Sequence, residues 1–199
     1  FRYLSEDPRS ESVYVSARAL GDEVLAWLAT PRERPFFVWA HASDPHAPYR
    51  PAEPFQARFV PADPASTLDP RNPLRKLRRR SASLTPADLE HLRGLYRAEV
   101  AELVAELGRF FAALEERGVL DDTIVVLVAD HGEEFHDHGG FEHGNTLYQE
   151  LVHVPLLVRL PDAAGARSRV LAQHVDLLPT LLTLLGLPIP PTLPRQPIL

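Results

Sequence analysis

Two short runs without a polar break organise this chain, FFVWA (Phe36–Ala40) and TIVVLVA (Thr123–Ala129). Both have the length and the β-branched or aromatic content of strands buried on both faces, the pattern of a parallel sheet. Longer stretches have a helical period instead. SARALGDEVLAWLAT places Ala19, Val24, Leu25 and Leu28 near helical spacing up to Pro31, which predicts a helix packed on a sheet face. A second helix starts at Thr85 as N-cap, with Pro86 first and Asp88 third. It runs through Leu89, Leu92, Tyr96, Val100, Leu103, Leu107, Phe110 and Leu114 to a stop near Gly118. VPLLVRL (Val154–Leu160) predicts a third strand and Val170–Gln173 a short further one. DLLPTLLTLLG (Asp176–Gly186) predicts a largely buried helix, before an extended, proline-dense tail. Phe1–Val15 reads as irregular. Residues 50–84 have neither period and read as a long Pro/Arg-rich loop within one partial domain spanning 1–199. Asp121 and Asp122 precede their strand and read as a turn.

The residues just beyond the two apolar runs carry the chemistry. The second run ends on Asp130-His131-Gly132, and His136, His138 and His143 come soon after, among carboxylates and glycines. The first ends on His41-Ala-Ser-Asp44-Pro-His46-Ala-Pro48-Tyr49, where two prolines exclude a helix and suit holding one imidazole in place. In a parallel sheet both clusters lie at the carboxyl edge, where open α/β folds bind ligands. Asp130 offers hard anionic oxygen for Ca²⁺, Mg²⁺ or Mn²⁺, and an imidazole nitrogen from His131 moves the preference toward Mn²⁺ or Zn²⁺. His41, Asp44, His136, Asp137, His138 and Glu142 are candidates for the groups that orient the ligands.

Composition narrows the class further. The 199 residues suffice for one domain with a sizeable core, and a net charge of -6 argues against nucleic acid as a partner. With no Cys, neither a disulfide nor a thiolate nucleophile or zinc ligand is available. No signal-peptide pattern or long apolar run is present, so the chain reads as soluble. It opens on Phe1 and has no Met, which reads as a piece of a longer polypeptide; export or membrane contact would come only through what precedes Phe1. RNPLRKLRRR (Arg71–Arg80) reads as a solvated loop, with an anion-attracting rim or an acidic-lipid contact as the other reading.

The segments PFFVWAHASDPHAPYRP, IVVLVADHGEEFHDHGGFEHGNTLYQELVHVPLLVRLP and HVDLLPTLLTLLGLP, in this order, resemble the sulfatase branch of the alkaline phosphatase superfamily over nearly all of residues 16–190. The resemblance implies an α/β fold, a mixed and mostly parallel sheet sandwiched between helices, of which this chain is the C-terminal portion. It implies metal-dependent hydrolysis of a small-molecule or glycan sulfate ester. Asp130 and His131 match the pair that ligates one divalent cation, which the resemblance makes Ca²⁺ first, with Mn²⁺, Mg²⁺ or Zn²⁺ as alternatives. His46 matches the histidine that contacts the anionic oxygens of the ester. His143 falls where many sulfatases carry a sulfate-binding Lys, and His46 or His143 would protonate the leaving oxygen. A His in place of that Lys leaves phosphate or phosphonate esters open.

The family's nucleophile sits in a Cys/Ser-x-Pro-x-Arg motif, which this chain lacks. The nearest match, Thr192-Leu193-Pro194-Arg195, misplaces the Arg. Taken alone the chain is therefore expected to be inactive. The alternatives are a phosphodiesterase, a phosphonate monoester hydrolase or a phosphoethanolamine-type transferase on the same scaffold, and a non-catalytic remnant.

Overall fold

The computed structural model describes residues 15–31, 33–61, 66, 68, 83–193 and 197–198. The expectations for residues 1–14, for Arg71–Arg80 and for Pro194-Arg195 lie outside them. The described residues fall into two compact units, Phe1–Asp162 and Ala163–Leu199.

The first unit is built on one long helix. α1 is Ala17–Leu28, α2 Glu53–Phe59 and α3 Pro86–Glu116. β1 (Val125–Val128), β2 (Glu134–Phe135), β3 (Phe141–Glu142), α4 (Gln149–Val152) and β4 (Leu156–Arg159) come after it in the chain. α3 begins as expected. The Thr85 hydroxyl accepts from the Asp88 N–H, and the Asp88 carboxylate accepts from the Thr85 N–H at 2.9 Å, a reciprocal capping box. Its apolar stripe serves two separate clusters. Leu92 and Leu95, with Tyr96 beside them, pack with Ala47, Tyr49, Phe135 and Phe141. Farther along the helix, Leu114, Phe110 and Phe111 pack with Leu25 and Leu120. α3 therefore carries both site segments on its first half, and α1 and the turn before β1 on its second.

Several expectations are corrected by the structure. α1 packs chiefly on α3, Gly21 lying against the Phe110 ring, with Val125 of β1 at the edge of the same cluster. The 50–84 stretch contains α2, too short to show a period, started by Pro54 in its first turn and flanked by Glu53 and Arg58 at the favourable ends of its dipole. Phe36–Ala40 forms no strand among the described residues. Phe37 and Trp39 are 76% and 75% exposed, because a strand exists through its neighbours and nothing described pairs with this run. β1 is half-buried rather than buried on both faces, and its one described partner, β4, runs antiparallel with Val125 opposite Arg159. The second pair, β2 with β3, is also antiparallel. Val119–Asp122 forms the expected turn, as a 3-10 helix after Gly118.

In the second unit α5 (Leu177–Leu184) follows a 3-10 turn at His174–Asp176 and ends before Gly186, whose φ of 66° suits the left-handed helix stop. It buries Pro179 and Thr180, but Leu178 and Leu185 stand exposed, so it is less buried than its leucine content implies. Val170–Gln173 is not a strand; Val170 and Leu171 face outward with no neighbouring strand described. No helix among the described residues is long and apolar enough to cross a membrane.

Acidic side chains of α3 hold the backbone that leads out of the 41–49 segment. Glu99 accepts from the Arg50 N–H and Glu102 from the Ala52 N–H at 2.8 Å. Burial raises Glu99 to about 7 from its usual 4.5; the Arg50 N–H opposes the shift, and the charges of Asp44 and Glu102 add to it. The folded state thus holds this proton more tightly than the unfolded chain. The associated stability is full below about 4.5 and is lost as pH rises through about 7. Glu99→Gln is expected to be more stable than the parent at pH 8, by on the order of 1–2 kcal/mol after allowance for solvent screening, and no more stable at pH 4. Urea denaturation at both pH values checks this.

Candidate active site

Two segments build the site, residues 41–49 and 130–150. In the first, Ala47 and Tyr49 are buried against α3, Tyr49 meeting the Tyr96 ring edge-on at 5.7 Å. His46 precedes them and is set by a turn in which its N–H donates to the Ser43 carbonyl at 2.8 Å. The second segment is closed at its base. The Gly132 N–H donates to the Leu151 carbonyl at 2.8 Å, and the Glu133 N–H to the Glu150 carbonyl at 3.1 Å. Any side chain at residue 132 would run into that Glu150 carbonyl, so glycine is required there by close approach. The hairpin above pairs Phe135 with Phe141, and both rings bury onto α3. Arg93 fastens it by donating to the Phe135 carbonyl at 2.6 Å and to Asp137 at 3.2 Å.

These anchors bring three histidines together. The His131 and His143 rings lie 3.9 Å apart, tilted by 30°, and His46 meets His143 edge-on at 5.2 Å. His131 Nδ1 is 2.8 Å from the Gly132 carbonyl and His46 Nδ1 is 2.7 Å from the Ala47 carbonyl. A carbonyl only accepts, so both rings carry their hydrogen on Nδ1. His131 Nε2 then faces Asp130, 3.7 Å from its Oδ2, a spacing two ligands of one cation can take. His143 Nδ1 is 2.8 Å from Glu133 Oε1, and Glu133 Oε2 accepts from the Tyr49 hydroxyl at 2.7 Å. Burial, then the Glu133 charge, pushes the Tyr49 phenol far above its usual range, so Tyr49 stays a hydrogen-bond donor.

Of the residues singled out in the sequence, the structure brings His46, Asp130, His131 and His143 together. Asp44 turns to α1, where it accepts from the Ala17 N–H at 2.6 Å. Asp137 accepts from the Phe135 N–H at 3.0 Å, and that bond, ahead of Arg93, holds its carboxyl below the usual range. His138 stacks on Tyr148 and approaches Glu150. His41 is exposed. His136 has a left-handed backbone and meets Phe141, while Glu142 is buried opposite Glu134. Glu133 and Tyr49 are the site residues that the pattern of histidines did not reveal.

The family profile described as Sulfatase matches residues 2–187. The multifunctional alkaline phosphatase superfamily protein PehA of Trinickia caryophylli is 28% identical over 205 residues, covering 89% of this chain and 38% of that protein. Arylsulfatase K of Homo sapiens is 36% identical over 110 residues, covering 55% of this chain and 20% of that protein. The crystal structure of the phosphonate monoester hydrolase of Agrobacterium radiobacter superposes with a TM-score of 0.70 at 27% identity, covering 87% of this chain and 40% of that one. The chain thus spans well under half the length of these relatives. The structural likeness carries the expected alkaline phosphatase/sulfatase-type α/β fold.

Tyr49→Phe removes one donor from the buried Glu133 carboxylate while keeping the packed ring. It is expected to lower stability to urea at pH 7 by about 1–3 kcal/mol. A midpoint equal to the parent's would show that the bond does not hold the two segments together.

Proposed function

Since this chain belongs to the sulfatase family, we propose that it supplies part of the catalytic domain of a metal-dependent sulfuric ester hydrolase. The observation that supports this most directly is the meeting of His46 with His131 and His143, from segments far apart in sequence, beside the Asp130 carboxylate. The donor set suits a divalent cation, because Asp130 offers anionic oxygen and His131 is oriented to offer Nε2. Calcium is the proposed ion, with Mn²⁺, Mg²⁺ or Zn²⁺ as alternatives. When bound, it would supply Lewis-acid polarisation of an ester oxygen.

The chain's own groups do the rest. In the doubly protonated form, with hydrogens on both Nδ1 and Nε2, His46 and His143 hold the anionic oxygens of a small-molecule or glycan sulfate, and one of them passes its Nε2 proton to the leaving oxygen and is left neutral with its hydrogen on Nδ1. Glu133, held by Tyr49, keeps the His143 hydrogen on Nδ1 and so reserves Nε2 for the ester. A second reading, hydrolysis of phosphonate or phosphate esters, is favoured by His143 in place of a permanently charged Lys, and by the named activity of the Agrobacterium radiobacter enzyme.

In the protein that carries this chain, His46→Ala and His143→Ala are each expected to lower kcat/KM for p-nitrophenyl sulfate by about 10²–10³-fold. Parent-like rates in both variants would overturn the assignment. A higher kcat/KM on a p-nitrophenyl phosphonate monoester than on the sulfate would replace the first reading with the second.

A further inference from the structure

Glu133 faces His143 and Tyr49, so alternation along the chain turns the next side chain, Glu134, to the opposite face. Glu134 is 2% exposed, and among the described residues its carboxylate accepts from neutral donors: the Gly140 N–H at 2.7 Å, the His138 N–H at 3.2 Å and the Thr146 hydroxyl at 3.3 Å. A buried carboxylate paired with neutral donors is costly, and these three bonds leave one of its roughly four lone-pair sites, on Oε2, for another partner. His138 and Glu150 approach the same place. The His138 ring lies flat on Tyr148, 3.8 Å away and inclined by 13°, with Nδ1 2.5 Å from Glu150 Oε1. One ligand atom each from Glu134, His138 and Glu150 lies within 4.8 Å of the other two.

We propose that Glu134, His138 and Glu150 form a second cation site, separate from Asp130 and His131, which takes a divalent transition ion such as Zn²⁺. Each ligand is already oriented: Glu134 by backbone N–H groups, His138 by the Tyr148 ring, and Glu150 by the backbone bonds that close the loop base. Zinc bound tetrahedrally to nitrogen and carboxylate oxygen at about 2.0–2.2 Å places those atoms about 3.4 Å apart, so binding moves His138 and Glu150 apart by about 0.9 Å to admit the ion between them. The single imidazole and the small number of protein ligands select a zinc-like ion over Ca²⁺, which takes about six to eight oxygens. Binding displaces the proton that His138 Nδ1 shares with Glu150 and releases it to solvent. His138 is partly exposed, so the ion has a path in. It would tie β2, the hairpin turn and α4 at one point.

The test is isothermal titration of the full chain with Zn²⁺ alone, in an Asp130→Asn/His131→Gln background that removes the first pair. One equivalent of Zn²⁺ is expected to bind. His138→Gln and Glu150→Gln are each expected to weaken it by at least about tenfold with unchanged circular dichroism. His138→Cys keeps a ligand and is expected to bind Cd²⁺ with a thiolate-to-metal absorption band. No zinc bound in the background protein, or undiminished binding in both Gln variants, would overturn the proposal. Should the background variant fold poorly, His138→Gln and Glu150→Gln in the unaltered chain are expected to remove one equivalent of Zn²⁺ each, and an unchanged stoichiometry in both would overturn it equally.

Discussion

One carboxylate, Glu133, joins the two halves of the site. Its side chain is 5% exposed and accepts from Tyr49 on one oxygen and from His143 on the other. Such a group is tolerated in a low-dielectric interior only while its partners stay in place, which makes the network all-or-none. Tyr49 lies just beyond His46, and His143 stacks on His131, so fixing Glu133 fixes the spacing of all three imidazoles. Neither loop has enough regular structure to do this by itself.

The frame beneath is α3. Its first half receives the Phe135–Phe141 pair and Tyr49, and its second half receives α1 and the turn before β1. The apolar stripe is thus shared between a region that positions chemistry and a region that only holds the fold. Polar groups on the same helix divide in the same way. Arg93 grips backbone of the 130–150 segment, and Glu99 and Glu102 grip the backbone just beyond the 41–49 segment, whereas Arg109 makes partly exposed ion pairs with Asp22 and Glu106, contacts of little energetic weight.

How much could be read from the amino acids depends on where the information resides. α3 was legible to its cap, because the period and the Thr85–Asp88 capping pair are local. The DHG cluster and His46 were legible because an apolar run ending in ligand-type residues is a local signal too. Phe36–Ala40 was misread because a strand depends on its neighbours, and apolar content alone does not reveal a missing one. α2 escaped because seven residues make fewer than two turns. Glu133 and Tyr49 escaped because their role is a contact between distant segments, and a glutamate among many acidic residues has no mark of burial.

The bonds at the base of the 132–151 segment make it a loop whose two ends touch. Its tip, at Gly139, has open space around it and a left-handed backbone. Insertions or replacements at that tip need not pass any displacement down to Gly132 and Leu151, so the rim can be reshaped while the base of the segment stays where it is. The segment behaves as an interchangeable cassette, and sequence divergence can proceed there at little cost to the fold.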